Sequence, residues 1–338
     1  MKTFFKRPRH AAALALLMLL SAGAITACTD NGGVDKNGKP GEVQFVVDTG
    51  PGGGSDVFAR QIVKISLANK LIDGNWPVLS RSQGGGLAAM SFLKQKSPQP
   101  DYIAAFTSKW IISGLNTPDA EATVKDLTLI AQVAVEPQMV AVPANSPYKT
   151  MTDFIAAAKA KPGQLVQVGG AYSSVDNLAA LKIQENTGTK WKYLSFADGG
   201  PRITALLRGD AQMMLGAQND FSEEVAAGQL RIIGVMGKHR APKFPDVPTF
   251  AEQGISEEGL PDVLQWRAIA GPAKMPAAAV AYYRGVFSKM TQTKEWKTYM
   301  DEEGLVSEYV AGPDLDQRVQ SFTTSMTPMV RLLKSANK

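Results

Sequence analysis

Short apolar segments alternate with segments of helical periodicity along most of the chain, and this alternation restricts the fold more than any other feature. Residues 43–47 form a β-branched run bounded by glycine and proline, and residues 56–71 carry apolar side chains at helical spacing. The same order repeats at residues 76–96 and begins again at residues 102–106. Strands that alternate with helices of this length favour a parallel sheet, so the sequence predicts an α/β protein.

The length of 338 residues favours two domains, because single cores seldom grow beyond roughly 250–300 residues. A β-rich stretch at residues 129–142 is broken by Glu136-Pro137, where the chain can change domain, and a second α/β series follows. Residues 265–270 are strand-like again and can return the chain to the first domain. We therefore expect one lobe from residues 42–142 plus 265–338 and a second lobe from residues 143–264.

The first 27 residues have the pattern of an export signal. Basic residues precede an apolar run at 11–25, which is shorter than the roughly 20 residues of a membrane span, and small residues lead to Cys28. This segment resembles the lipobox of bacterial lipoproteins, in which the cysteine is lipidated. We expect a signal peptide at residues 1–27, a lipid on Cys28, and a polar, glycine-rich flexible tether at residues 28–41.

The composition argues against several kinds of function. Four of the five net positive charges come from lysines and arginines in the first ten residues, so the rest lacks the basic footprint of a nucleic-acid-binding protein. His239 is the only histidine after the signal, and Cys28 is the only cysteine. We therefore expect no Ser-His-Asp or Cys-His catalytic site, no metal centre and no cofactor. The loop at 50–56 lacks the lysine of a phosphate-binding P-loop.

Glycine-rich loops follow several predicted strands and open the next helix. Backbone N–H groups at a helix N-terminus, with the helix dipole, favour a bound anion. In open α/β sheets ligands lie beyond the carboxyl ends of strands, so two such lobes face to face would hold a small anion between them. Candidate ligand contacts in the first lobe are Gly52, Gly53, Gly54, Ser55, Arg81, Gly85, Thr107, Ser108 and Lys109. Those in the second lobe are Ser173, Ser174, Gly199 and Asp220.

Each of these residues also has a plainer interpretation, which the sequence leaves open. Ser55, Thr107 and Ser174 can contact a ligand or merely cap their helices. Lys109 can bind a carboxylate or point into solvent. Asp220 can meet a ligand amine or hydroxyl, or cap the helix that follows it.

Residues 46–60 (VVDTGPGGGSDVFAR) and 244–254 (FPDVPTFAEQG) resemble the solute receptors of tripartite tricarboxylate transporters, the Bug/TctC family. The similarity extends in order over roughly residues 42–325. It implies a type II periplasmic-binding-protein fold, with two Rossmann-like domains joined by hinge strands. It also implies a monomeric receptor that captures a small carboxylate and delivers it to membrane permease subunits, with no nucleic-acid partner.

Some positions depart from the family pattern. Arg267 follows Trp266 where an aromatic residue is common, and Asn177 replaces a usual histidine. These departures affect the choice of ligand rather than the fold. Two other functions fit the same sequence: a receptor of this fold that serves a membrane sensor kinase, and an exported hydrolase that uses carboxylates around the cleft.

Overall fold

The computed structural model describes residues 33–170, 172, 174–196, 199–261 and 265–336, with side chains up to residue 331. The predicted signal peptide, Cys28 and Ser173 therefore lie outside the described residues. Within these ranges no helix has both the length and the apolar character needed to cross a membrane.

The first lobe is built on a six-stranded sheet with the order β11-β4-β10-β3-β1-β2. Strands β1, β2 and β3 are parallel, whereas β10 runs antiparallel to both β3 and β4, and β11 runs antiparallel to β4. The strands are β1 (Gln44–Val47), β2 (Val78–Ser80), β3 (Tyr102–Thr107), β4 (Leu127–Val135), β10 (Trp266–Pro272) and β11 (Val306–Ala311).

The second lobe is built on a five-stranded sheet with the order β7-β6-β8-β5-β9. Strand β6 is parallel to β7 and β8, and β5 is antiparallel to β8 and β9. The strands are β5 (Gln138–Pro143), β6 (Val166–Gly169), β7 (Lys192–Ser195), β8 (Met213–Ala217) and β9 (Leu230–Met236).

Helices connect the strands and cover both sheets. They are α1 (Gly54–Ala68), α2 (Leu87–Gln95), α3 (Ser108–Asn116), α4 (Met151–Ala160), α5 (Val175–Thr187), α6 (Gly199–Arg208), α7 (Ser222–Ala226), α8 (Ala277–Met290), α9 (Lys294–Glu303) and α10 (Pro313–Ala336).

Both faces of the first sheet, which is mixed and not purely parallel, are buried because helices cover it on two sides. Successive residues of one strand point to opposite faces, so Phe45 and Val47 join one apolar cluster while Val46 joins another. The second sheet is likewise packed between two clusters, and Val140 and Met139 of β5 lie in different ones.

The chain passes from the first sheet to the second at Glu136-Pro137. This break was visible in the sequence. The predicted boundary at 142 assigns residues 138–142 to the first lobe, whereas in the structure they belong to β5 of the second sheet. Proline has no N–H to donate to a sheet, so the β-rich stretch divides there into two strands. Strand β11 was missed because an edge strand of mixed polarity gives little periodic signal.

Residues 33–41 form a closed loop against the first lobe, where the sequence predicts a flexible tether. The carboxylate of Asp35 accepts hydrogen bonds from the backbone N–H groups of Asn37 and Lys39, at 2.8 and 2.9 Å. Lys39 Nζ lies 2.6 Å from Asp73 Oδ2, and Gly38 is buried against Ala278 of α8. The polar residues of this segment thus stabilise an ordered turn. Composition alone does not distinguish such a turn from a flexible tether.

Candidate functional site

A cavity of about 450 Å³ lies where the carboxyl ends of strands from both sheets meet. The first lobe contributes Thr49, Gly54, Ser55, Thr107, Lys109, Ile112, Ser113 and Asn116. The second lobe contributes Ser174, Val175, Asp176, Arg202, Leu215, Gly216 and Asp220, and the strands near the crossing add Gln138, Gln265 and Arg267. The cavity is therefore shared by both lobes.

Three helices, α1, α3 and α5, begin at this cavity. Their N-cap residues are Gly53, Thr107 and Ser174. Glycine has no side chain, and neither Thr107 nor Ser174 accepts a side-chain hydrogen bond from its own helix. Thr107 is both the last residue of β3 and the N-cap of α3, with φ −126° and ψ 161°, so the strand turns directly into the helix. Three positive dipole ends at one cavity favour an anionic ligand.

Asp48, at the end of β1, organises the first-lobe wall. It is 3% exposed, and its Oδ1 accepts a hydrogen bond of 2.6 Å from Ser55 Oγ. Its other oxygen, Oδ2, lies 2.7 Å from Lys109 Nζ. The sequence reasoning overlooked Asp48, although an acidic residue directly after a buried β-branched run was a usable signal. Its carboxylate holds two candidate ligand contacts in fixed positions.

A second ion pair forms the wall near the lobe crossing. Arg267 Nη2 lies 3.1 Å from Glu136 Oε2, and both side chains are mostly buried. Gln265 Nε2 donates a bond of 2.7 Å to the same oxygen. The Arg267 guanidinium also lies 5.2 Å from the ring centre of Phe58, within cation–π range. Arg267 is therefore a cavity cation whose charge Glu136 already balances.

The second-lobe wall carries two carboxylates that fold back against strand ends. Asp176 Oδ2 accepts bonds from the Gly170 N–H at 2.9 Å and from the Tyr193 hydroxyl at 2.7 Å. Burial, followed by the charge of Asp176, raises the pKa of Tyr193, so this phenol stays protonated as the donor. A Cβ on Gly169 would lie 2.0 Å from Asp176 Oδ2, so only glycine leaves room for this arrangement.

Asp220 likewise occupies space that a neighbouring glycine leaves free. Its Oδ2 accepts a bond of 2.7 Å from the Ala217 N–H, and a Cβ on Gly216 would lie 2.6 Å from that oxygen. Burial raises the pKa of Asp220, and the nearby charge of Glu136 acts in the same direction. Arg202 of α6 lies on the same wall and donates from Nε to the Phe196 carbonyl at 3.0 Å.

The structure brings six of the predicted contacts together around the cavity: Gly54, Ser55, Thr107, Lys109, Ser174 and Asp220. It also adds residues that the sequence reasoning did not propose as contacts, because their positions depend on chain crossings: Gln138, Arg202, Gln265 and Arg267. Gly52, Gly53, Arg81, Gly85, Ser108 and Gly199 are not among the residues that line it.

Four of these other residues, Gly52, Gly85, Ser108 and Arg81, are engaged or buried elsewhere in the first lobe. The Gly52 N–H donates to Asp56 Oδ2 at 3.0 Å, and the Gly85 carbonyl accepts from Ser113 Oγ at 2.9 Å. Ser108 is completely buried in the first turn of α3. The Arg81 guanidinium lies 4.4 Å from the ring centre of Phe92. The loop at residues 83–86 thus supports the cavity wall from behind.

Comparison with known proteins identifies the family. The family model described as tripartite tricarboxylate transporter family receptor matches residues 60–333. The chain belongs to this family. The resemblance inferred from the loop motifs is therefore confirmed, and the tripartite tricarboxylate transporter receptors are a substrate-binding family and not an enzyme family.

Curated relatives are distant but span most of the chain. A UPF0065 protein of Pseudomonas sp. strain P51, from the tcbD-tcbE intergenic region, is 25% identical over 242 residues, which are 70% of each chain. Protein BugT of Bordetella pertussis is 26% identical over 219 residues, which are 64% of this chain and 66% of BugT.

Solved structures share the fold. A TctC solute-binding protein from Polaromonas has a TM-score of 0.71 at 23% identity, over 87% of this chain and 96% of that one. MatC from Rhodopseudomonas palustris with bound malate has a TM-score of 0.64 at 19% identity, over 86% and 99%. An R. palustris protein with adipate has a TM-score of 0.70 at 18% identity, over 87% and 97%. The two-lobed periplasmic-binding-protein fold is thereby confirmed.

Proposed function

We propose that this chain is an exported receptor that captures a small organic acid between its lobes and delivers it to a membrane permease of the tripartite tricarboxylate type. The observation that carries the proposal is the convergence of the N-termini of α1, α3 and α5 on one cavity. Backbone dipoles placed in this way bind a carboxylate and provide no nucleophile.

The size of the cavity supports a small ligand. Its volume of about 450 Å³ falls within the roughly 300–1,000 Å³ of small-molecule sites. Two fold neighbours hold malate and adipate, which are small carboxylates. We propose that Gly54, Ser55, Thr107, Lys109 and Ser174 contact the ligand carboxylate.

Capture requires the lobes to close over the ligand, and we propose that they turn about the crossing at Glu136. There the Glu136 N–H donates to the Gln265 carbonyl at 2.9 Å, which joins the two chain connections between the lobes. Rotation of two sheets about such a point is an ordinary hinge closure. The lobes in this proposal comprise residues 33–135 with 265–336, and residues 138–261.

Thermal shift with a panel of mono-, di- and tricarboxylates tests the proposal. A ligand at 100 times its Kd stabilises the folded chain by about 2.7 kcal/mol. Thr107→Phe fills the cavity without removing a side-chain cap and should abolish the shift. Thr117→Phe makes the same change at the exposed far end of α3 and should leave the shift intact. A shift from no carboxylate, or one that survives in T107F, would refute the site.

Membrane attachment is tested separately. The export pattern ending at Cys28 leads us to propose a lipid anchor on that cysteine. A C28S variant expressed in the source cell should move from the membrane fraction to the soluble exported fraction. Equal membrane retention of the wild-type chain and the variant would exclude the anchor.

A further inference from the structure

The charges of the cavity are unusual for a site that takes a polyanion. The charged side chains that line it, or that form an ion pair with one that does, can be counted within the described residues. Three are cations and four are carboxylates: Lys109, Arg202, Arg267, Asp48, Glu136, Asp176 and Asp220. The side chains thus give the site no excess positive charge, and attraction for an anion falls to the helix termini.

Two of the three cations are already neutralised by buried partners. Asp48 pairs with Lys109 at 2.7 Å, and Glu136 pairs with Arg267 at 3.1 Å. A ligand carboxylate that binds Lys109 or Arg267 would have to compete with these buried carboxylates. The helix termini favour a ligand carboxylate, whereas each further negative charge on the ligand adds repulsion from the four carboxylates of the site.

The two remaining carboxylates belong to the second lobe and face the same cavity. Among the described cations none lies within 4.0 Å of Asp176 or Asp220 in an ion pair. Asp220 Oδ2 is bound to the Ala217 N–H, and Gly216 provides the space for it. A half-buried carboxylate held at a cavity wall, in ion-pair contact with none of these cations, is suited to a cationic group of the ligand.

We propose that the ligand is a zwitterion: an amino-carboxylate whose carboxylate binds the helix N-termini of the first lobe and whose ammonium binds Asp220 of the second. Such a ligand links the two lobes through opposite charges and adds no net charge to the cleft. A metal ion between the acids is disfavoured, because the described residues hold no group of three or more His, Cys, Asp or Glu side chains placed for one.

This inference rests on the proposed function, since it assumes that the cavity is the carboxylate site. The test compares each zwitterion with the acid that lacks its amine. The probes are the twenty L-amino acids, 4-aminobutyrate and glycine betaine, beside their des-amino acids and succinate, malate, adipate and citrate. Thermal shift identifies binders, and isothermal titration calorimetry gives their Kd values.

The variant Asp220→Asn removes the charge and keeps an oxygen for the Ala217 N–H. It should weaken the best zwitterion at least about 10-fold, and its des-amino acid should bind as well or more tightly. The control Asp210→Asn makes the same change at an exposed position of the second lobe and should alter neither. A purely structural effect of D220N would weaken both ligands together, and that result overturns the inference.

The wild-type chain decides the question even if D220N does not fold. At least about 10-fold tighter binding of one zwitterion than of its des-amino acid is expected. If the best ligand carries no nitrogen, the inference is overturned while the proposed carboxylate receptor stands. If no compound of either set binds, both are overturned.

Discussion

Gly86 closes the loop that supports the cavity wall, and replacing it with alanine tests whether that loop is structural. Its backbone has φ 106° and ψ −14°, a conformation that L-residues seldom adopt. An added Cβ would lie 2.4 Å from Cδ1 of Trp110, which is fully buried in α3 and packs edge-on against Phe106 at 5.5 Å. The indole is enclosed and cannot move aside freely.

The expected loss of stability has two parts. Forcing alanine into a left-handed conformation costs about 1–2 kcal/mol. Overpacking against an enclosed ring costs about 1–3 kcal/mol more. Gly86→Ala should therefore lower the free energy of unfolding by about 2–5 kcal/mol. Gly52→Ala is the matched control, because Gly52 has φ 79° but a methyl group there would meet no atom within 4 Å, so only the conformational cost of about 1–2 kcal/mol applies.

Urea denaturation followed by tryptophan fluorescence and circular dichroism measures both variants. Equal slopes m in wild type and variants would show that the difference lies in stability and not in the unfolded state. An equal loss in G86A and G52A would show that the ring yields without cost, and would refute the argument that this loop buttresses α3.

Two other predictions concern the carboxylates of each lobe. Gly169→Ala should force Asp176 Oδ2 and the Tyr193 hydroxyl apart. Calorimetry should then show weaker ligand binding, and urea denaturation should show a free energy of unfolding lower by about 1–3 kcal/mol. Unchanged values of both would contradict the geometry. The hydrogen-bonded guanidinium of Arg60 holds the pKa of Asp56 below its ordinary value of 3.8. A carboxylate whose pKa is lowered by folding stabilises the folded chain above its unfolded pKa, and this stabilisation is lost as the pH falls. The free energy of unfolding of wild type should therefore exceed that of D56N at pH 7, and the difference should disappear below about pH 4 in acid titrations. A gap independent of pH would refute that pairing.

Local patterns in the sequence were sufficient for much of the fold. Each strand-to-helix unit is specified within about 30 residues, so the apolar run before Asp48 and the helix after Ser55 were predictable. Strand β11 was not, because its pairing with β4 joins residues far apart in sequence, such as Val306 and Val135. The glycines at residues 83–86 led to the prediction that Gly85 contacts the ligand. In the structure this loop packs around Trp110, and the sequence pattern of such a loop is the same as that of a ligand-binding loop.

Only those site residues that lie at strand-to-helix junctions were predictable from the sequence. Ser55, Thr107 and Ser174 follow from the rule that ligands lie at strand carboxyl ends. Arg267 reaches the same cavity through an antiparallel strand that returns after the whole second lobe, and Arg202 reaches it from α6. Their roles depend on tertiary placement, which local spacing does not encode.

Helix α5 of the second lobe also packs against helix α10 of the first lobe. Leu178 of α5 is fully buried in an apolar cluster whose other members include Val319, Phe322 and Met326 of α10. Because this contact is apolar, the proposed closure about Glu136 would have to slide Leu178 over α10 or separate the two helices. A residue larger than leucine at position 178 should therefore hinder closure, although Leu178 does not line the cavity.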